Sequence, residues 1–494
     1  MNNNNITGSG LRLLALLAMT LVLSGCPVES SSSSSPSSVT DVSQTPEDPA
    51  DEAPDNGPPP SQEPEPLNRF QFANGCYQIQ SGEQFIAANA DDRSYHLTDE
   101  QSEAAAFTMR PTKLGSYLLM SGYQPREGRA GRKELLGIRD PAGEFLDHSG
   151  NFIGEVSYLV AGLGDTVNLV ADFVLPVGDV VRSIGDALLD LGNRVGETQI
   201  NPRLGMVIRA NDLAVWQLNP ASGDRFTLAS RQTGLILDPN EDGLTLSSPA
   251  VASENSQMRL IATQGCAAYP EAELNATVAE EGPANYLLEV ERYQGVEGLT
   301  ENDVFGYVDT HSHISAYEFI GGRVNYGDPF HRFGITHAMD DCSVHHGPMG
   351  ATGLLEQLTG VPGLHDTQGW PTFNDWPRRD SLMHHQSYYR WIERAHLGGM
   401  KVLVNHLVHN EILCQVNPQK QNDCDPNETI KLQIQRMYEM QDYIDAQAGG
   451  PGKGFFQIVT SPAQAREVID QGHLAVILGL DMSHPFGCRE LNGI

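Results

Sequence analysis

The sequence predicts a multidomain protein: a β-rich N-terminal domain followed by part of a parallel α/β barrel. Two observations predict it. Between Cys76 and Cys266, short apolar runs at 117–120, 226–229 and 235–237 alternate with Gly, Pro, Asn and Asp turns, the pattern of a β domain. From about residue 302 the pattern changes to strands alternating with helices. There, 474–480 is apolar without interruption, as strands are when a parallel sheet is covered on both faces.

The N-terminus comes first. After Arg12 the apolar run 13–23 is too short to span a bilayer as a mature helix, and it closes on Leu23-Ser24-Gly25-Cys26. This ending resembles the bacterial lipoprotein signal, in which the Cys becomes the lipidated first residue of the mature chain. The resemblance implies a signal peptide over 1–26, lipidation of Cys26 and a lipid anchor in the bacterial envelope. Pro27, where inner-membrane lipoproteins carry Asp, implies the outer membrane. Residues 27–66 are dominated by Ser, Pro, Asp and Glu and cannot bury enough apolar area to offset chain entropy, so they read as an acidic, disordered tether.

Composition narrows the partners. A net charge of −32, with 31 Lys and Arg against 63 Asp and Glu, lacks the basic footprint that nucleic-acid binding needs. With Cys26 lipidated, six cysteines remain, an even number that suits an oxidising compartment. The preferred pairing is Cys76 with Cys266, Cys414 with Cys424 and Cys342 with Cys488, although six cysteines leave other connectivities open. No Cys-x-x-Cys occurs, so neither a zinc knuckle nor a thioredoxin-like site is indicated.

Residues 67–270 form the expected β domain. Within it, Phe107-Thr108-Met109-Arg110-Pro111 leading to Gly115 and Tyr117 echoes Trp216-Gln217-Leu218-Asn219-Pro220 leading to Gly223 and Phe226. Repeats of this size are similar to those of β-trefoil modules of the lectin and actin-crosslinker type, which implies sugar binding as one role. Residues 151–196 read as a helical insertion, two amphipathic helices divided by Pro176, whose Asp165, Asp172, Asp179 and Asp186 argue against a membrane span. Residues 271–301 connect to the second domain.

Residues 302–494 supply the α/β pattern. A buried strand is expected at 304–308 and a second at 334–339, with a short helix opening at Gly353. Asp380 is placed to cap a helix running to Ala395, stopped by Gly398. A strand follows at 400–406, then a long helix after Asp425-Pro426 with Ile430, Ile434, Met437 and Ile444 on one stripe. Ser461-Pro462-Ala463-Gln464 is a capping box, and the strand 474–481 ends in Asp481. Such alternation predicts a TIM-type barrel, whose chemistry sits at the carboxyl ends of its strands.

That location makes Asp309-Thr310-His311-Ser312-His313 the leading candidate site. Alternate side chains of a strand share a face, so His311 and His313 can offer two imidazoles to one metal ion, with Asp309 behind them as a carboxylate that fixes an imidazole tautomer. Fourteen of the sixteen histidines follow residue 300, so other candidates need weighing. His345-His346 and His384-His385 are adjacent and would diverge in a strand. His406 and His409 are three apart, which suits a helix better than a strand end. His337 and His406 read as packed core residues. The aromatic loop from His365 to Pro377 could roof a pocket. No Gly-x-Ser-x-Gly elbow occurs, and Gly452-Lys453 lacks the following Ser/Thr of a phosphate loop.

Val308-Asp309-Thr310-His311-Ser312-His313, taken with Val459-Thr460-Ser461 and Gly472-His473-Leu474-Ala475-Val476-Ile477-Leu478-Gly479-Leu480-Asp481, is similar to the membrane dipeptidase (renal dipeptidase-like) branch of the amidohydrolase superfamily. The resemblance covers 190 residues, Phe305 to the end. It implies a zinc-dependent hydrolase with His311, His313 and Asp481 as metal ligands and a small peptide or amide as substrate. Two departures bear on the metal. His313 stands where that family carries Asp, and Asp481 where it carries Glu, so one divalent ion is implied as readily as two. An eight-stranded barrel takes about 250 residues, so the sequence reads as the N-terminal part of a truncated one. Two functions follow as expectations: an exported metal-dependent hydrolase of amide or peptide-type bonds, or a non-catalytic cell-surface lipoprotein binding sugar or protein, its barrel a relic.

Overall fold

The β-rich region is built from hairpins. Its strands are β1 (Cys76–Ser81), β2 (Gln84–Asn89), β3 (Ser94–Thr98), β4 (Phe107–Lys113), β5 (Ser116–Arg126), β6 (Arg129–Arg139), β7 (Arg203–Val207), β8 (Val215–Pro220), β9 (Phe226–Ser230), β10 (Ile236–Asn240), β11 (Gly243–Ser247) and β12 (Arg259–Ala262). The structure is a computed structural model describing residues 68–139, 203–240, 243–274, 303–323, 325–351, 353, 364–375 and 383–482. The signal and tether over 1–66, Cys26, the insertion 151–196, most of the connecting segment 271–301, Asp380 and Cys488 lie outside the described residues.

All twelve strands belong to one antiparallel sheet, in the order β11-β10-β9-β8-β5-β4-β1-β2-β3, with β12 on β1, and β6 on β5 and β7. The sheet nearly closes on itself: Met258, just before β12, bridges Phe226 of β9, and the Met206 N–H of β7 donates to the Arg93 carbonyl before β3. The two segments that echo each other in sequence form the hairpins β4–β5 and β8–β9. Pro111 pairs with Tyr117 and Pro220 with Phe226, and Gly115 and Gly223 take positive φ at the turns, a conformation that suits Gly. Inside lie Ile79, Phe107, Met109, Tyr117, Trp216 and Leu228, and the Trp216 indole N–H donates to the Leu136 carbonyl.

The second region is a four-stranded parallel sheet of β13 (Tyr307–Ser312), β14 (Met400–His409), β15 (Phe456–Ile458) and β16 (Leu474–Met482). Its helices are α1 (Ile335–Ala338), α2 (Ser343–His346), α3 (Tyr389–Leu397), α4 (Glu411–Val416), α5 (Pro426–Gln447) and α6 (Pro462–Asp470). The strand order is β13-β14-β16-β15, so β16 rather than β15 adjoins β14 along a full-length register. A sequentially ordered barrel would place β15 there; the described strands form a four-stranded open sheet, and the partial TIM-type barrel expected from the sequence is not shown.

Several sequence expectations hold locally. Asp425 caps α5 by accepting from the Asn427 and Glu428 N–H groups, with Pro426 in the first turn, and Ser461 Oγ accepts from the Gln464 N–H to start α6. Others change. The strand expected at 334–339 is the one-turn helix α1, because Ile335, Ala338 and Met339 are all buried, and residues three and four apart share a helix face but not a strand face. The strand expected buried at 304–308 instead starts at Tyr307 and is exposed, with Val308 52% accessible, because β13 is an edge strand with β14 as its neighbour. The helix expected from Asp380 begins at Tyr389.

The two regions pack together within one unit, Leu67–Ile494. β4 is buried on both faces: Phe107 and Met109 enter the β core, whereas Arg110 meets the α/β part. The Arg110 guanidinium donates to Glu271 (2.5 Å), Tyr443 Oη (2.9 Å) and Tyr389 Oη (3.3 Å), and Tyr388 Oη donates to Glu271 (2.7 Å). Nearby, the Lys133 ammonium donates to Thr336 Oγ1 of α1, and its burial pushes its pKa down to about 8.

Candidate metal centres

The sheet order assembles the first centre. β13 carries His311, His313 follows it directly, and Asp481 lies near the carboxyl end of β16, paired with Val408 of the intervening β14. His311 Nε2 lies 3.1 Å from His313 Nε2, and each is 3.8 Å from Asp481 Oδ2. Zinc held by bonds of about 2.0–2.1 Å in a tetrahedron needs donor separations of about 3.3 Å; the three donors fit a single cation. The residues predicted from sequence as ligands are thus brought together.

Neighbouring groups orient them. The His313 Nδ1–H donates to the His406 carbonyl (3.2 Å), which leaves Nε2 as the lone-pair nitrogen facing His311 and Asp481. Immediately after His313, the Ile314 N–H donates to Asn405 Oδ1 (2.6 Å), and Asn405, fully buried on β14, also bonds Ser315. The His311 ring stacks on His406, 4.6 Å between centroids, and the His406 Nε2–H donates to the Thr310 carbonyl. A Cβ on Gly479 would lie 2.8 Å from His406 Nδ1, so this close approach requires the glycine. His406 therefore supports the centre and is not the packed core residue expected. Asp309 accepts from the His311 backbone N–H (3.1 Å) and not from an imidazole; fixing a tautomer falls to the His406 carbonyl instead. His311, His313 and Asp481 keep side-chain exposures of 61%, 34% and 41%, an open geometry with room for further ligands.

A second donor set was not legible from spacing alone. Cys342, His346, His365 and His384 are all buried, and their ligand atoms lie within 4.8 Å of one another. Cys342 Sγ is 3.2 Å from His365 Nε2 and 3.4 Å from His384 Nε2. Judging the adjacent pairs His345-His346 and His384-His385 as strand residues hid them. On α2, Cys342 and His346 are one helical turn apart and share a face, and the i, i+4 spacing of a Cys and a His was the available signal. Burial, then the neighbouring His365 and His345, push His346 down to about 3, so its ring is neutral.

The remaining candidates divide. Cys76–Cys266 and Cys414–Cys424 are disulfides, as expected. Cys342 forms no disulfide among the described residues, and its expected partner Cys488 lies outside them. His337 is a hydrogen-bonded core residue, bonded to the Ala210 carbonyl and stacked on His331. The His409 Nε2–H donates to the Cys424 carbonyl from within β14. Trp370 and Phe373 of the aromatic loop pack against the α/β core, and Trp376 and Pro377 lie outside the described residues.

A cleft of about 850 Å³ runs between the two regions, lined by Tyr317, Glu318, Asp328, His345 and Arg436 among others. Burial first, then Glu318, push Asp328 up to about 7 against the opposing pull of Arg436. A carboxyl that ionises more readily unfolded than folded costs stability as pH rises, so the loss begins near pH 4 and is complete above about pH 7. In denaturant titrations across that window, Asp328→Asn is expected to flatten the decline; curves that stay parallel to those of the unsubstituted chain would refute this account.

No family model matches the chain, and no curated protein matches it. Solved structures align with parts of it at low scores. They include the designed three-fold symmetric protein ThreeFoil (TM-score 0.22, 11% identity, 38% of this chain and 99% of that one). SeviL bound to asialo-GM1 saccharide aligns at TM-score 0.21 and 13% identity, over 38% of this chain and 98% of that one. BEL beta-trefoil aligns at 0.20 and 8%, over 39% and 94%. None of these likenesses carries an argument about ligand or activity.

Proposed function

We propose that the chain is an exported metal-dependent hydrolase of amide or peptide-type bonds, related to the membrane dipeptidase branch of the amidohydrolases, with His311, His313 and Asp481 holding one divalent cation of the zinc class. The convergence of those three side chains, from strand ends far apart in sequence, carries the proposal. A cation in this place supplies a Lewis acid that polarises a substrate carbonyl and acidifies water. His313 presents its Nε2 lone pair because its other nitrogen is held by the His406 carbonyl, and Asp481 supplies the negative charge that two neutral imidazoles lack. Solvent access to all three leaves coordination positions for substrate and water.

The same reading anchors the protein at Cys26 through lipid, in the outer membrane, with 27–66 as tether and no nucleic-acid partner. The paired hairpins β4–β5 and β8–β9 favour a trefoil-like plan for the β domain.

The test is elemental analysis of the purified full chain, with hydrolysis assayed on dipeptides and N-acyl amino acids. Altering a residue that merely orients a ligand costs about 10–100-fold in affinity or activity. His313→Ala is therefore expected to lose one metal equivalent and more than about 100-fold in hydrolysis. Equal metal content in the unsubstituted chain and a His311→Ala/His313→Ala variant would end the proposal. Gly479→Ala, which drives a methyl against His406, is expected to weaken metal binding by about 10-fold while leaving all three ligands in place.

A further inference from the structure

We infer that Cys342, His346, His365 and His384 form a second metal site, a closed one that takes a zinc-class cation and holds three segments of the chain together. Tetrahedral zinc with one sulfur ligand at about 2.3 Å and nitrogens at about 2.0–2.1 Å has S···N edges of about 3.5 Å. The observed S···N separations of 3.2 and 3.4 Å match that edge, and the other donor separations stay within 4.8 Å, a gap that rotation of a ring closes. The three imidazoles meet edge to face, with His346 5.6 Å from His365 and 5.0 Å from His384, and His365 4.8 Å from His384 between centroids. Their nitrogens thus point into a shared space and the rings do not stack.

The independent observation is His346. It is 1% exposed, and neither of its ring nitrogens has a hydrogen-bond partner. Burying such a group unsatisfied is unfavourable, and native proteins rarely do it without a ligand or a water at the site. Four soft or borderline donors and no carboxylate select zinc-class ions over magnesium or calcium.

Position gives the role. Cys342 and His346 belong to the turn of α2, which is tied to the next segment by the Cys342 N–H donating to the Thr367 carbonyl. His365 opens the aromatic loop that continues through Trp370 and Phe373, and His384 lies beside Tyr326, whose N–H donates to the Met383 carbonyl and whose carbonyl accepts from the His385 N–H. A cation held by all four residues joins these segments. The Cys342–His365 contact resembles a thiol–imidazole nucleophile pair, but Cys342 is fully buried, so no substrate reaches its sulfur. Four protein ligands also leave no open position, in contrast to the exposed centre at His311. Loading the site releases the Cys342 thiol proton to solvent, and the thiolate bonds the cation.

Cobalt(II) separates the two sites, because a sulfur ligand is present in this one alone. Titration of the metal-free full chain with Co²⁺ is expected to give a thiolate-to-cobalt charge-transfer band in the near ultraviolet, with d–d bands of tetrahedral intensity. Cys342→Ser is expected to abolish the charge-transfer band and lower zinc content by one equivalent per chain. His346→Ala is expected to lose the tetrahedral spectrum, and His313→Ala to leave the band intact. If the intact chain gives no such band, or if the band survives in Cys342→Ser, the inference is overturned. The measurement on the unsubstituted chain decides the matter even if a variant fails to fold.

Discussion

Replacing both Cys76 and Cys266 with Ala is expected to lower the stability of the β-rich region by roughly 5 kcal/mol at 25 °C, the loss of loop-closure entropy for a long loop. The bond joins positions 190 residues apart. Its place in the fold explains why so long a loop is closed here. Cys76 opens β1, Cys266 follows β12, and these strands pair from Tyr77–Ala262 to Gln80–Arg259. The disulfide therefore clasps the first and last strands of the sheet at the seam where it comes round on itself. Cys414–Cys424 provides the internal control, since it spans 10 residues and its removal is expected to cost only about 2.5 kcal/mol on the same reasoning. Denaturant unfolding of the two double variants, followed through Trp216 for the first, tests both. Equal losses from the long and the short loop would show that chain entropy is not what the longer bridge supplies.

The seam was legible because cysteines mark it: two residues bracketing a run of short strands, with the rest of the six accounted for separately. The first candidate centre was legible for a related reason. His311 and His313 alternate on a strand, a signal of local periodicity, whereas Asp481 enters only through the resemblance of the strand it ends to a known family. What periodicity could not supply was which strands are neighbours. The sheet places β16 beside β14, so Asp481 reaches the histidines across a single strand, and β13 is left at an exposed edge where burial had been expected. The second donor set was hidden by a wrong local assignment. Read as strand, the adjacent His345 and His346 diverge; read as the helical turn α2, the same stretch gathers Cys342 and His346 on one face. The role of His406 was invisible for a different reason, since it holds His313 through its backbone carbonyl and His311 through ring stacking, and neither a carbonyl nor a stacked ring has a sequence signature.

Arg110→Ala is expected to cost about 3–5 kcal/mol, the penalty for leaving a buried charge without its partner, and to uncouple the two packed regions. Arg110 and Glu271 keep 7% and 11% of their side-chain surface, and the carboxylate also accepts from Tyr388 and Tyr389. Removing the guanidinium leaves that carboxylate buried with two phenols and the Ala272 N–H as donors and no counter-charge. Glu271→Gln is expected to cost a comparable amount, because the amide keeps an acceptor for the tyrosines but leaves the buried Arg110 guanidinium without a counter-charge. Replacing the pair together by Met is expected to recover much of the loss, since well-packed apolar residues often match a buried ion pair in stability. A double-mutant cycle on Arg110 and Glu271 measures the coupling directly. Arg110 lies on β4, Tyr389 on α3 and Tyr443 on α5, so this one network spans the junction between the antiparallel and parallel sheets. Calorimetry of Arg110→Ala should therefore resolve two transitions where the unsubstituted chain gives one. A single transition at an unchanged midpoint would mean that apolar packing alone couples the regions and that the Arg110 network is incidental to it.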